Sequence, residues 1–206
     1  MRKLIHYGTL HDDTHIHEYD TPQMKIAREL YHTKLRDFYL PFSEAIVEEH
    51  RRDPFHRIYM ESICDIPELG DGDFAVTLPV RVLLKEGVTL ESTEHRGLDL
   101  LHSLWGGEEI LKYEERLKSI RKDHFFEQFP FEPEYRQILE EFFEDGDYVN
   151  IHTARECWIG KKIARSLRNR ERGVLFLGKF HSPENIKLFL PGDIEYRYID
   201  LFPELQ

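Results

Sequence analysis

Two short segments pair a glycine with a histidine three residues on: Gly8-Thr9-Leu10-His11 and Gly178-Lys179-Phe180-His181. With 12 Gly and 12 His in 206 residues, chance placement yields about 0.7 such matches, so the spacing alone decides nothing. Placement adds weight. Each segment follows an apolar run that reads as a strand, Leu4–Leu10 and Val174–Leu177, and each histidine comes within four residues of the end of its run. In an open α/β sheet, ligands gather beyond the carboxyl ends of the strands. A glycine there allows a sharp turn or close approach. A neutral imidazole offers a metal ligand or a base near neutral pH.

Glu61 is the natural third member, since it lies inside the apolar strand Ile58-Tyr59-Met60-Glu61, where an unpartnered carboxylate is costly. His11, Glu61 and His181 would form a two-histidine, one-carboxylate set suited to a divalent ion such as Zn, Co or Mn. Glu91, Glu94 and His95, near the end of a third strand-like segment, are second candidates. Glu94 or Asp12 is a candidate general base and Arg155 a candidate stabiliser of developing negative charge.

These residues need elements to position them. Thr21-Pro22 reads as a helix start, with Met24, Ala27, Leu30 and Tyr31 at helical spacing and Pro41 expected to break or kink the helix. Residues 56–63 read as a second strand, and 75–84 as either helix or strand. Residues 87–94 read as a third strand. Residues 97–145 are charged and mainly helical, an insert with Phe125-Phe126 and Phe142-Phe143 as core anchors. Thr153-Ala154-Arg155-Glu156 has the capping-box pattern that opens a helix through Leu167. Pro183 starts a short helix, and residues 194–201 alternate as a last strand. Strands separated by helices imply a largely parallel sheet in one α/β domain, residues 1–206.

Composition narrows the partners. Asp plus Glu number 39 against 28 Lys plus Arg, a net charge of −11. That sign disfavours nucleic acid and anionic membrane. No apolar run nears the ~20 residues of a membrane helix. The N-terminus carries no signal-like apolar stretch, so a cytoplasmic location is expected. Cys64 and Cys157 are far apart and read as reduced thiols. The expected partner is a small molecule or peptide substrate, with the Phe- and Tyr-rich insert as a homodimer face.

The Gly-Thr-x-His opening, the strand glutamate, the Arg155-Glu156 pair and the late Leu-Gly-x-x-His segment resemble the TraB/Tiki group, related to erythromycin esterases and ChaN-like proteins. The resemblance covers the two ends of the chain and leaves 65–145 aside. It implies an α/β fold and an active-site core of His11, Glu61 and His181, with Arg155 orienting charge. It also implies hydrolysis of amide or ester bonds, metal-dependent in the Tiki branch and without a required metal in the esterase branch. Lys179 is bulkier than the small residue such a motif usually carries, and the loop Asp12-Asp13-Thr14-His15-Ile16-His17 is unusual.

Plainer roles compete. Each histidine could simply bond to backbone at a strand end. Glu61 could be ion-paired to Arg57 or Arg155, and Arg155 could be matched by a nearby acid. Three expectations therefore stand side by side: a metal-dependent hydrolase, a metal-free hydrolase in which Glu61 orients His11, and a non-catalytic binding or regulatory protein that keeps the fold.

Overall fold

A computed structural model describes residues 1–10, 22–61, 63, 69, 74–98, 146–179 and 181–203. The expectations placed on His11, on Asp12, Asp13, His15 and His17, on Cys64, and on the insert from residue 99 to 145 lie outside the described residues.

Five strands form one all-parallel sheet: β1 (Arg2–Thr9), β2 (Arg57–Met60), β3 (Thr89–Glu91), β4 (Arg172–Gly178) and β5 (Ile194–Asp200), in the order β3-β2-β4-β1-β5. Helices cover both faces, as parallel strands require: α1 (Pro22–Arg52), α2 (Leu78–Lys85), α3 (Gly146–Ser166) and α4 (Pro183–Leu188). The α/β class expected from the alternation of strands and helices is the class observed.

Successive side chains of a strand point to opposite faces. Ile5, Tyr7, Ile58, Met60, Val174 and Phe176 therefore share one face, where they pack with Leu35, Tyr39 and Ile46 of α1 and Val80 and Leu83 of α2. Leu4, Tyr59, Leu175 and Leu177 share the other, under Ile159 and Ile163 of α3, Leu167 just beyond it, and Ile186 of α4. His6 falls in the second set, opposite Leu175 in register.

Several boundaries differ from those read in the sequence. Helix α1 runs through Pro41 without ending there. Pro41 is exposed, and the buried residues Leu35, Tyr39, Ser43 and Ile46 hold the helix to the sheet on both sides of it, so packing overrides one missing backbone bond. Residues 75–77 form a 3-10 turn that leads into α2. The third strand shrinks to three residues. Helix α3 begins at Gly146, seven residues before Thr153, so the capping-box reading of Thr153 and Glu156 is incorrect. Both lie within the helix. Among the described residues, no helix is long and apolar enough to cross a membrane.

The amino ends of the strands are held by ion pairs. Arg172 pairs with Glu49, Arg57 with Glu91 and Glu171, and Arg2 with Asp193. The carboxyl ends carry a different set of residues.

Candidate metal centre

Strands β1 and β4 run side by side, with Gly8 opposite Leu177 and Thr9 opposite Gly178. They leave the sheet together. The Lys179 N–H donates to the Thr9 carbonyl at 2.8 Å, and the Tyr39 hydroxyl meets both the N–H and the carbonyl of Leu10 at 3.1 Å. Beyond Gly178 the chain turns: the His181 N–H donates back to the Gly178 carbonyl at 3.0 Å. That turn folds His181 over the sheet edge, where it is buried.

Glu61 arrives from the adjacent strand. Its N–H donates to the Phe176 carbonyl at 3.1 Å, which extends the β2–β4 ladder by one residue. One carboxylate oxygen, Oε1, lies 3.0 Å from His181 Nε2, and Oε2 accepts the Gly178 N–H at 3.0 Å. Arg155 reaches in from α3. Its guanidinium donates to both oxygens of Glu94, at 2.8 and 2.7 Å, and to Glu61 Oε1 at 3.2 Å. Arg155 and Glu94 are each 2% exposed. Of the residues singled out in the sequence, Glu61, Glu94, Arg155 and His181 thus meet in one cluster. Arg57 does not join Glu61; it pairs with Glu91 and Glu171 at the other end of the sheet. His95 is exposed, with its ring against Trp158.

Two further side chains complete the cluster, and neither was singled out as a ligand in the sequence. His152 and Glu156 stand one turn apart on α3, in the same stripe as Ile159 and Ile163. The His152 ring stacks on that of His181, with centroids 4.1 Å apart. Glu156 Oε1 is 3.4 Å from His152 Nε2 and 3.4 Å from His181 Nδ1. Glu156 is itself held in place, accepting from the Ser182 N–H at 2.6 Å and from Asn185 Nδ2 at 2.7 Å. The spacing His152-x-x-x-Glu156, in line with an apolar helical stripe, was the available signal. The capping-box pattern masked it.

His152, Glu156 and His181 could hold a metal ion, with one ligand atom from each lying within 4.8 Å of the others. Two of these separations are 3.4 Å, which is about the edge of a tetrahedron with bonds of about 2.1 Å. His181 Nδ1 is buried and faces Glu156 Oε1. The group shares His181 with the expected set of His11, Glu61 and His181, but its carboxylate is Glu156. Glu61 instead orients the far side of the His181 ring.

Electrostatics separates the two imidazoles. Burial, reinforced by the His181 charge, lowers His152 to about 3 and keeps it neutral. Burial also opposes charge on His181, but the Glu61 and Glu156 carboxylates outweigh it and raise His181 to about 9. Glu156 ends below its ordinary value: burial works against ionisation, and His181, Asn185 and Ser182 overcome it.

Comparison of the chain with protein-family models, with curated proteins and with solved structures finds no match.

Proposed function

We propose that the protein is a divalent-metal-dependent hydrolase of amide or ester bonds, with the ion held by His152, Glu156 and His181. The observation that carries this reading is the His-Glu-His group at the carboxyl edge of the sheet, with Glu156 and His181 buried and His152 half-buried. Two imidazoles and one carboxylate are a catalytic zinc set, and the same donors suit Co and Mn. The charges agree. Formally, the three carboxylates of Glu61, Glu94 and Glu156 face the Arg155 guanidinium and a protonated His181, which leaves one negative charge among the described residues. A divalent ion that displaces the His181 proton leaves none.

When bound, such an ion lowers the pKa of a water and polarises a carbonyl. The chain's own residues set the geometry. Glu61 Oε1 accepts a hydrogen bond from His181 Nε2–H, which would leave the Nδ1 lone pair for an ion, the carboxylate–histidine arrangement that fixes tautomer and ring angle. Arg155 and Glu94, bound to each other and buried, hold Glu61 in turn. In this reading they are positioning residues. The resemblance of the motifs given above to the TraB/Tiki group points to the same chemistry.

A second reading has its own support: a protonated His181 between two carboxylates is a closed ion-pair network that needs no metal, as in a binding or regulatory protein. Titration of metal-free protein with Co²⁺, read by its visible absorption, separates the two. Stoichiometric binding that is lost in His152→Ala and Glu156→Gln, with 4-nitrophenyl acetate hydrolysis that stops under chelator and returns with metal, supports the hydrolase. No binding of Zn²⁺, Co²⁺ or Mn²⁺ excludes the metal centre. Hydrolysis that persists under chelator points to the metal-free mechanism.

A further inference from the structure

Next to this centre, on the same face of the sheet, lies a group that the metal reading does not use. His6 of β1 is fully buried. Its Nδ1 is 2.6 Å from the Tyr196 hydroxyl, and its Nε2 is buried without a hydrogen-bond partner. The Tyr198 ring meets the His6 ring edge-on at 4.9 Å. The Tyr198 hydroxyl occupies the space above Gly8: a Cβ added there would lie 2.5 Å from it. The first glycine of the Gly-x-x-His segment therefore has a physical function. It lets a β5 phenol lie across the end of β1.

The cluster is uncharged and close to the centre. The His181 charge is felt at His6 and the Glu156 charge at Tyr196. Burial keeps both phenols protonated and His6 neutral. A phenol is a better proton donor than a neutral imidazole, so Tyr196 donates to Nδ1 and the His6 proton sits on Nε2. A buried N–H without an acceptor is destabilising, and a ligand carbonyl would remove that cost.

We propose that His6 Nε2–H and the Tyr198 hydroxyl form a subsite for an uncharged carbonyl group, so that the substrate is a neutral acyl compound. This rests on the hydrolase reading and deepens it. Neutral donors suit a carbonyl oxygen. The Glu184 carboxylate, whose charge is felt at both Tyr196 and Tyr198, repels carboxylate and phosphate, while Arg155 is engaged by Glu61 and Glu94.

The Co²⁺-loaded protein is assayed with 4-nitrophenyl acetate, the anionic 4-nitrophenyl succinate and 4-nitrophenyl phosphate. The neutral ester is expected to be preferred at least tenfold in kcat/KM. Tyr198→Phe, which deletes the hydroxyl, and Gly8→Ala, which displaces it, are each expected to lower kcat/KM about tenfold with Co²⁺ binding unchanged. Equal or better turnover of either anionic probe overturns the proposal, as does a change below twofold in both variants. A readout independent of turnover is the ¹⁵N resonance of His6 Nε2 in metal-free protein titrated with N-methylacetamide. A saturable shift supports the subsite. An unmoved resonance means that water or nothing sits there and overturns it, while the metal reading still stands or falls on the Co²⁺ titration.

Discussion

His181 Nε2 lies 3.0 Å from Glu61 Oε1, so a histidine and a glutamate 120 residues apart share one proton position at the edge of the sheet. The pair should contribute to the alkaline pH response of the metal-free protein. His181 is raised from 6.5 to about 9. Its imidazolium therefore contributes stability that is fully present below pH 6.5 and is lost as pH rises through about 9. Across that window the loss approaches about 1.4 kcal/mol per pH unit. Glu61→Gln should flatten it. Urea unfolding of metal-free protein from pH 6 to 10 measures the slope, and an unchanged slope in Glu61→Gln refutes the assignment.

In the proposed centre, metal and proton would compete for the same imidazole. Below pH 9, binding of each ion should release close to one proton, because His181 is charged beforehand, whereas His152 is already neutral. Calorimetric titration in buffers of different ionisation enthalpy counts the proton. A release near zero at pH 7 means that His181 is not a ligand.

The Glu94–Arg155 pair should behave as buried structure. Removing one partner leaves the other's charge desolvated, at a cost of about 3–5 kcal/mol. Glu94→Ala is expected to lose that much, and Glu94→Leu combined with Arg155→Met substantially less than Glu94→Ala alone. Chemical denaturation of the three proteins tests this, and additive losses would contradict it.

On the acid side, His6 is lowered from 6.5 to about 3 by burial and the His181 charge. Its folded form resists protonation, so stability is lost as pH falls below 6.5 and continues to fall until about 3. His6→Gln should remove up to about 1.4 kcal/mol per pH unit from that limb. Thermal unfolding between pH 7 and 4 shows whether it does.

Gly160 marks where α4 crosses α3. A Cβ there would lie 2.8 Å from Phe189 Cβ and 2.9 Å from the Ile186 carbonyl. Neither atom yields easily, so Gly160→Ala should cost about 1–3 kcal/mol. Because Asn185 and Ser182 hold Glu156, the same change should weaken Co²⁺ binding. Full stability in Gly160→Ala would show that α4 shifts freely.

The sequence by itself determined the α/β class, the strand at Val174–Leu177 and the polar residues Glu61 and His181 just beyond two strands. Apolar runs, breakers and isolated polar residues are local signals, and a glutamate at the end of Ile58-Tyr59-Met60 stands out whatever surrounds it. Tertiary structure alone decided the partners. His152 and Glu156 look like ordinary helix residues until α3 lays them over β4. Arg155 and Arg57 are equal candidates for Glu61 until the fold sends Arg57 to Glu91 and Glu171 and brings Glu94 and Glu61 to Arg155. His6 reads as one polar residue in a strand until β5 sets Tyr196 and Tyr198 beside it. The reason is physical: an order of β3-β2-β4-β1-β5 brings together residues from both ends of the chain, and such contacts follow from how whole faces are buried, which local spacing does not encode.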